Sequence, residues 1–209
     1  MARKSRFANK QRSKSAQRIV DQGKFMLCWI ALLWILEILD VVLGHRLDNF
    51  GIEPRRLASL PAIFTAPFLH YGFGHVAANS VPLFVLGWLT LATGRSRFWT
   101  VSFVIVVVSG LAVWLLGRGS VGEGLIVKHA GASLLIFGYF GFLVVYGFIR
   151  RSPLWIVVAI AVGLIYGASM LGGVVPGQDQ ISWEGHLFGL LAGVLAAYLL
   201  KKDKGKFKR

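Results

Sequence analysis

The chain has 209 residues, of which 56% are apolar and only 15% are charged. This composition, with a mean hydropathy of +0.65, excludes an ordinary soluble domain and predicts a one-domain membrane protein that crosses the bilayer several times. The net charge of +14 would fit a nucleic-acid-binding protein, but the 23 Lys and Arg residues are concentrated at the chain ends and in alternate loops, which is typical of membrane topology. A single cysteine, Cys28, excludes a disulfide within the monomer.

The chain begins with a basic stretch that leads into the first apolar run. Residues 1–24 hold eight Lys and Arg against one acid, Asp21, and this predicts a mobile cytoplasmic tail drawn to anionic lipid. RNA binding is the other interpretation of such a tail, but its aromatic content is limited to Phe7. The first membrane span is predicted from Phe25 to about Gly44, which is long enough to cross the hydrocarbon layer.

Two acidic residues lie near the outer end of that span. Glu37 and Asp40 are three residues apart, so both carboxylates lie on one face of the helix. Acids inside a membrane helix suggest a function by default, but Asp40 is close to the interface and Arg46 is near enough to pair with it. We therefore expect a structural role for both.

Residues 45–74 are not expected to cross the membrane. The apolar run 57–69 is too short for a span and is interrupted by Pro61 and Pro67. We expect this long external loop to be irregular, partly submerged and packed against protein at the interface.

Five further spans complete a predicted bundle of six transmembrane helices, an all-α membrane protein over residues 25–200. Their approximate bounds are 75–93, 98–116, 129–148, 154–171 and 183–200, followed by a basic tail at 201–209. Six spans place both termini on one side, and 18 of the 23 basic residues then lie on that side. Because positive loops stay in the cytoplasm, both termini are predicted to be cytoplasmic in a multi-pass protein of the cell membrane.

This topology brings polar groups of three spans to one depth. The second, fourth and sixth spans enter from the outer face, and His75, Asn79, Ser133 and His186 lie within roughly 10 Å of that boundary, at 1.5 Å per residue. A lone Ser in a membrane helix usually bonds to its own backbone, but four polar side chains in one layer are better explained by a shared site.

Small residues could bring two of these spans into contact. Gly185, Gly189 and Gly193 recur every four residues on the sixth span, and the fourth holds Gly131, Gly138 and Gly141. Glycine ridges are common packing devices in membrane bundles, and here they would let His186 approach Ser133. Histidine can take the serine proton and later deliver it to a leaving amine, so the pair predicts acyl transfer by a dyad.

Three blocks of sequence resemble the rhomboid intramembrane serine proteases. They are HYGFGHVAAN at 70–79, GAS at 131–133 and GHLFGLLAG at 185–193, in family order on the second, fourth and sixth spans. The resemblance implies a six-helix rhomboid-like fold, a nucleophile at Ser133, a base at His186, and oxyanion donors at Asn79 and His75. It also implies supporting roles for five residues. His70 would be a companion histidine, Gly131 would lie beside the serine, and Phe137 would lie against the catalytic imidazole. Gly189 and Gly193 would form the helix contact.

The predicted function is cleavage of single-span membrane proteins near the outer face, without a cofactor, metal or nucleic-acid partner. Leu134 stands where the family commonly has Gly and favours the alternative of a catalytically inactive rhomboid-like protein that binds membrane helices. A second alternative is a transporter or metal-binding protein with the ligands His70, His75, His129 and His186, although no carboxylate joins them. His129 by itself is expected to be an interfacial residue, and Gln178–Gln180 are expected to help water reach the site.

Overall fold

A computed structural model of the chain describes residues 2–122, 124–177 and 181–202, with side chains described from residue 14 to residue 201 within those ranges. The protein is an all-α membrane bundle. Its helices are α1 (Ala2–Val42), α2 (Ala62–Thr65), α3 (Phe73–Ala92), α4 (Arg95–Leu116), α5 (Ser133–Arg150), α6 (Pro153–Gly173) and α7 (Trp183–Leu199). A two-stranded antiparallel hairpin, β1 (Ser120–Val121) and β2 (Leu125–Ile126), lies between α4 and α5.

The predicted spans correspond to six of these helices. Five are apolar and long enough to cross a membrane, namely α1 from residue 14 onward, α3, α4, α5 and α6, whereas α7 is apolar but has 17 residues. The prediction that the fourth span begins at His129 is wrong, because α5 begins at Ser133. Gly131 precedes it with a φ of 129°, a backbone conformation that interrupts a helix and suits glycine.

The basic N-terminal stretch, predicted as a mobile tail, is helical. Helix α1 extends without a break from Ala2 into the first span. Lys, Arg, Gln and Ala, which dominate residues 2–18, are good helix formers, and the first Gly of the stretch is Gly23. The C-terminal residues 203–209 lie outside the described part of the chain.

Helix α5 occupies the centre of the bundle and packs against α3, α4, α6 and α7. Its glycines allow three of these approaches: Gly138 faces Ile105 of α4, Gly147 faces the backbone of Trp155 on α6, and Gly141 faces the Leu190 carbonyl of α7. A side chain at any of these positions would collide with its neighbour, so the glycines set how closely the helices approach.

The segment 45–74 packs on the bundle as short turns, as predicted. It contains 3₁₀ turns at Leu47–Phe50, Leu57–Ser59 and Ala66–Phe68 together with the one-turn helix α2. Ile52 and Ile63 are buried with Val113 of α4, and Ile63 lies directly against Gly110. A backbone bridge between Ile52 and His129 ties the segment to the loop before α5.

Candidate active site

A cavity of about 940 Å³ opens at one end of the bundle, where α1, α4 and α6 finish and α3, α5 and α7 begin. We refer to it as the Ser133 cavity. Five of the predicted site residues line it, namely His75, Asn79, Ser133, Phe137 and His186. The connecting segments add charged groups, which are Asp48, Glu53, Arg56, Arg118 and Lys128. The topology therefore brings the polar groups of three helices together as expected.

Ser133 is the first residue of α5 and is only 9% exposed. Backbone N–H groups in the first turn of a helix lack an intrahelical acceptor, so the Ser133 amide can donate to a group in the cavity. The preceding loop is held by two hydrogen bonds, from the Gly131 amide to the Ala66 carbonyl (2.9 Å) and from the Ala132 amide to Nε2 of His70 (3.3 Å). Ser133 therefore lies on a fixed segment at a helix N-terminus.

His186 on α7 is oriented by two contacts. Its Nδ1 lies 2.8 Å from the Gly173 carbonyl at the end of α6, and because a carbonyl can only accept, Nδ1 carries the hydrogen and Nε2 keeps a free lone pair. The imidazole stacks on the Phe137 ring with centroids 4.0 Å apart and an interplanar angle of 8°. Phe137 is one turn beyond Ser133 on α5, so this stacking places the imidazole beside the helix that carries Ser133.

The register of α5 and α7 puts His186 within two residues of the level of Ser133. Gly189 lies against the Leu134 carbonyl and Gly193 against the Gly138 carbonyl, closer than any side chain would permit. Both pairs are 55 positions apart, so the two helices run parallel in constant register, and the residue level with position 186 is 131, two before Ser133. The predicted glycine contact is confirmed for Gly189 and Gly193. Gly185 instead faces Oγ of Ser182 at the start of its own helix.

His75 and Asn79 present two hydrogen-bond donors to the cavity. The Tyr71 amide donates to Nδ1 of His75 (3.3 Å), so a neutral His75 carries its hydrogen on Nε2. A Cβ placed on Gly131 would lie 3.0 Å from this Nε2 and 3.4 Å from Oγ of Ser133, so the space above Gly131 is shared by both groups. Nδ2 of Asn79 is buried and has no acceptor within the described ranges, which leaves it free to bind a developing oxyanion.

His70 lies behind the cavity, where it supports the loop that carries Ser133. It is 2% exposed, and its ring lies 5.0 Å from that of His75. Its pKa is lowered to about 4, first by burial and then by the neighbouring His75. The imidazole therefore stays neutral and accepts the Ala132 amide hydrogen bond, which makes it a positioning residue.

Several site features were absent from the sequence prediction or differ from it. His129, expected at the membrane interface, is buried within the protein: it is 3% exposed, accepts from the Ser182 hydroxyl at Nδ1 (2.7 Å), and donates from Nε2 to the Arg118 carbonyl (3.0 Å). The Arg118 amide in turn donates to the buried Glu184 carboxylate (3.2 Å). Together these contacts fix the start of α7, where Glu184 lies two residues before His186.

The Gly173 carbonyl was also missed, because a backbone acceptor leaves no chemical signature beyond the Gly172-Gly173 pair that ends α6. Leu134 belongs to the apolar core and does not line the cavity, so it leaves the approach to Ser133 open. Gln178–Gln180 lie outside the described residues. Among the residues that the structure describes, the four histidines of the metal-binding alternative do not converge as a ligand set.

The fold and this cavity define a multi-pass, all-α membrane protein with a serine and a histidine at one buried polar site. Residues 58–203 match the family model described as the Rhomboid domain. The chain belongs to the rhomboid family.

Similar proteins occur in several bacteria. An uncharacterized protein of Mycobacterium tuberculosis (strain H37Rv) is 41% identical over 191 residues, covering 90% of this chain and 79% of the relative. An uncharacterized protein of Mycobacterium leprae (strain TN) is 40% identical over 188 residues, covering 88% and 73% of the two chains. A protein of Bacillus subtilis (strain 168) named "Putative rhomboid protease YdcA" is 27% identical over 197 residues, covering 90% and 92%.

Proposed function

We propose that the protein is an intramembrane serine endopeptidase that cleaves transmembrane helices with a dyad of Ser133 and His186. The observation that carries the proposal is the hydrogen bond from Nδ1 of His186 to the Gly173 carbonyl, which leaves Nε2 as a base in the same cavity as Ser133. In other serine proteases a carboxylate orients the histidine. Here a backbone carbonyl supplies that contact.

The proposed reaction has two acyl-transfer steps. Nε2 of His186 removes the proton as Oγ of Ser133 attacks the substrate carbonyl, and the resulting oxyanion accepts hydrogen bonds from His75, Asn79 and the Ser133 amide. His186 then gives its proton to the leaving amine, which breaks the peptide bond and forms an ester with Ser133. Water, deprotonated by His186, attacks the ester, and the acid product leaves as Oγ regains its proton.

The position of the cavity suggests the substrate. It lies at one end of a membrane bundle and has a polar rim, so water and a locally unwound substrate helix can both reach Ser133. An intact helix buries its carbonyls in hydrogen bonds, so cleavage requires a weak segment near that membrane surface. The distribution of Lys and Arg supports an orientation with both termini in the cytoplasm and this end of the bundle on the outer side of the cell membrane.

The test is cleavage of a single-span model substrate by the full-length protein reconstituted in liposomes. We expect Ser133→Ala and His186→Ala to abolish cleavage, since removing either member of such a pair costs roughly 10⁶-fold in a soluble serine protease. Circular dichroism and thermal unfolding check that both variants remain folded. Undiminished cleavage by Ser133→Ala would refute the proposal.

The rival function is that of an inactive family member that binds membrane helices. A fluorophosphonate discriminates between them, because it labels only an activated serine. We expect labelling of the wild-type protein that is lost in Ser133→Ala. A folded wild-type protein that neither reacts with the probe nor cleaves any substrate would favour the rival.

A further inference from the structure

A second cluster of polar side chains lies at the end of α1, outside the proposed dyad. Nδ1 of His45 is 3.0 Å from Oδ2 of Asp40 and 3.8 Å from Oδ2 of Asp48. One ligand atom from each of the three residues lies within 4.8 Å of the other two. Ligand atoms that bind one metal ion at metal–ligand distances of about 2.0–2.2 Å lie at distances from one another that are similar to those in this cluster. A modest side-chain movement would therefore let all three residues bind one ion.

The partner of Asp40 differs from the one predicted from the sequence. Asp40 pairs with His45, where Arg46 was expected, and its Oδ1 also accepts the Leu47 amide hydrogen bond (2.6 Å). Asp40 therefore already holds residues 45–48 against the end of α1. His45 is the adaptable member, because its side chain is 57% exposed and can rotate.

A buried carboxyl group lies beneath this cluster and is a second observation that points to a cation. Glu37, one turn earlier on the same face of α1, is 2% exposed, and neither of its oxygens has a hydrogen-bond partner of good geometry in the described part of the chain, although the Gly72 backbone lies close. A buried charged carboxylate is normally paired with a cation or saturated by hydrogen bonds. Among the described residues, the nearby group that can balance a charge on Glu37 is the imidazole of His45, itself a member of the cluster.

The cluster also carries an excess of acidic groups, because the two carboxylates of Asp40 and Asp48 face the single imidazole of His45. Oδ1 of Asp48 is buried without a hydrogen-bond partner among the residues described. The ammonium of Lys128 bonds to Asn49, so it offsets this charge only from a distance.

We propose that Asp40, His45 and Asp48 bind one divalent transition-metal ion, with the buried Glu37 carboxyl group beneath it. An imidazole together with carboxylates favours Zn²⁺ or Mn²⁺ over Ca²⁺ and Mg²⁺, which prefer all-oxygen sites. The ion would join the end of α1 to the turn at 47–50. Because Asp48 also lines the Ser133 cavity, the ion would stabilise one wall of that cavity without touching Ser133 or His186.

The experiment measures metal binding directly and so does not depend on proteolysis. Full-length protein, purified in detergent with an affinity tag that contains no histidine and stripped with EDTA, is titrated by calorimetry with ZnCl₂ and MnCl₂. We expect one equivalent of at least one of these ions to bind and to raise the melting temperature. His45→Ala and Asp48→Asn should each weaken binding at least tenfold, because each removes one ligand.

The matched control is Glu53→Gln, which removes a neighbouring acid of the same loop that is paired with Arg56 (2.8 Å). We expect its affinity for the ion to equal that of the wild type. Absence of Zn²⁺ and Mn²⁺ binding by the wild-type protein would overturn the proposal. So would equal affinity in the combined His45→Ala and Asp48→Asn variant, or binding restricted to Ca²⁺ or Mg²⁺ and unaffected by His45→Ala.

Discussion

Replacing Gly173 with Ala tests how the imidazole of His186 is held. The added Cβ would lie 2.6 Å from Cζ of Phe137 and 3.2 Å from Nδ1 of His186. Ordinary van der Waals contact begins near 3.4 Å, so the Phe137 ring must move by about 0.8 Å. The imidazole is stacked on this ring and must move with it, which changes the distance over which Nε2 takes the Ser133 proton.

The expected effect is on catalysis. A misplacement of about 1 Å can cost roughly 100-fold in rate, so we expect kcat of Gly173→Ala to fall by about 10- to 100-fold. Ala is a better helix former than Gly, so the end of α6 should not lose stability through its backbone. The Gly173 carbonyl remains available to His186 in this variant. The fall in kcat would therefore be caused by the changed position of the His186 imidazole.

Gly172→Ala is the matched control, because a Cβ on this adjacent residue meets nothing within 4 Å. Cleavage of a transmembrane substrate in liposomes measures kcat, and the rate of fluorophosphonate labelling measures Ser133 reactivity separately. We expect Gly172→Ala to match the wild type in both assays. A wild-type rate for Gly173→Ala, or an equal loss in both variants, would refute the reasoning.

Three further changes test other parts of the site and bundle. Asn79→Ala removes a cavity-facing donor, so we expect kcat to fall by roughly 10²–10³-fold with little change in KM; a change in KM alone would contradict an oxyanion role. Gly193→Ala forces α7 away from α5, so we expect thermal unfolding in detergent to show that the protein loses about 1–3 kcal/mol of stability. The control Gly163→Ala lies on an open face and should lose none. Equal melting temperatures of the two variants would disprove the contact. Burial lowers the pKa of His70 to about 4 from 6.5, so folding disfavours protonation of this imidazole. The contribution of the neutral His70 to stability is therefore complete above pH 6.5 and is lost as the pH falls toward 4. This loss of stability amounts to at most about 3 kcal/mol. His70→Gln keeps an acceptor for the Ala132 amide but does not titrate, so we expect a flatter plot of unfolding free energy against pH between pH 4 and 6.5. A plot parallel to that of the wild type would contradict this assignment.

The chemistry-bearing residues could be predicted from the sequence because membrane topology restricts depth. Helices that enter from the same face place residues near their starts in one layer, so Ser133, His186, His75 and Asn79 could be assigned to one site without coordinates. The seam of Gly189 and Gly193 followed from the four-residue period, since this period keeps small residues on one face of a helix.

Other features could not be predicted because they depend on backbone atoms or on contacts between distant loops. The carbonyl that orients His186 belongs to Gly173, and a backbone acceptor is common to every residue type. His129 was predicted at the interface because it precedes an apolar run. The structure buries it in the protein through a backbone bridge to Ile52 and a side-chain hydrogen bond to Ser182. The start of α5 depended on a single backbone angle at Gly131.

The sequence by itself determined the class of protein, the number of apolar helices and the family, and it pointed to the residues that we propose to react, because hydropathy and motif spacing are local properties of the chain. Only the tertiary structure decided which ring nitrogen of His186 is free, that His70 supports the loop and lies outside the cavity, and that Leu134 turns into the core. It also decided that Asp40 meets His45 and Asp48 above the buried Glu37. Each of these depends on side-chain direction and on the packing of segments that are far apart in the chain, and neither is encoded in a local pattern.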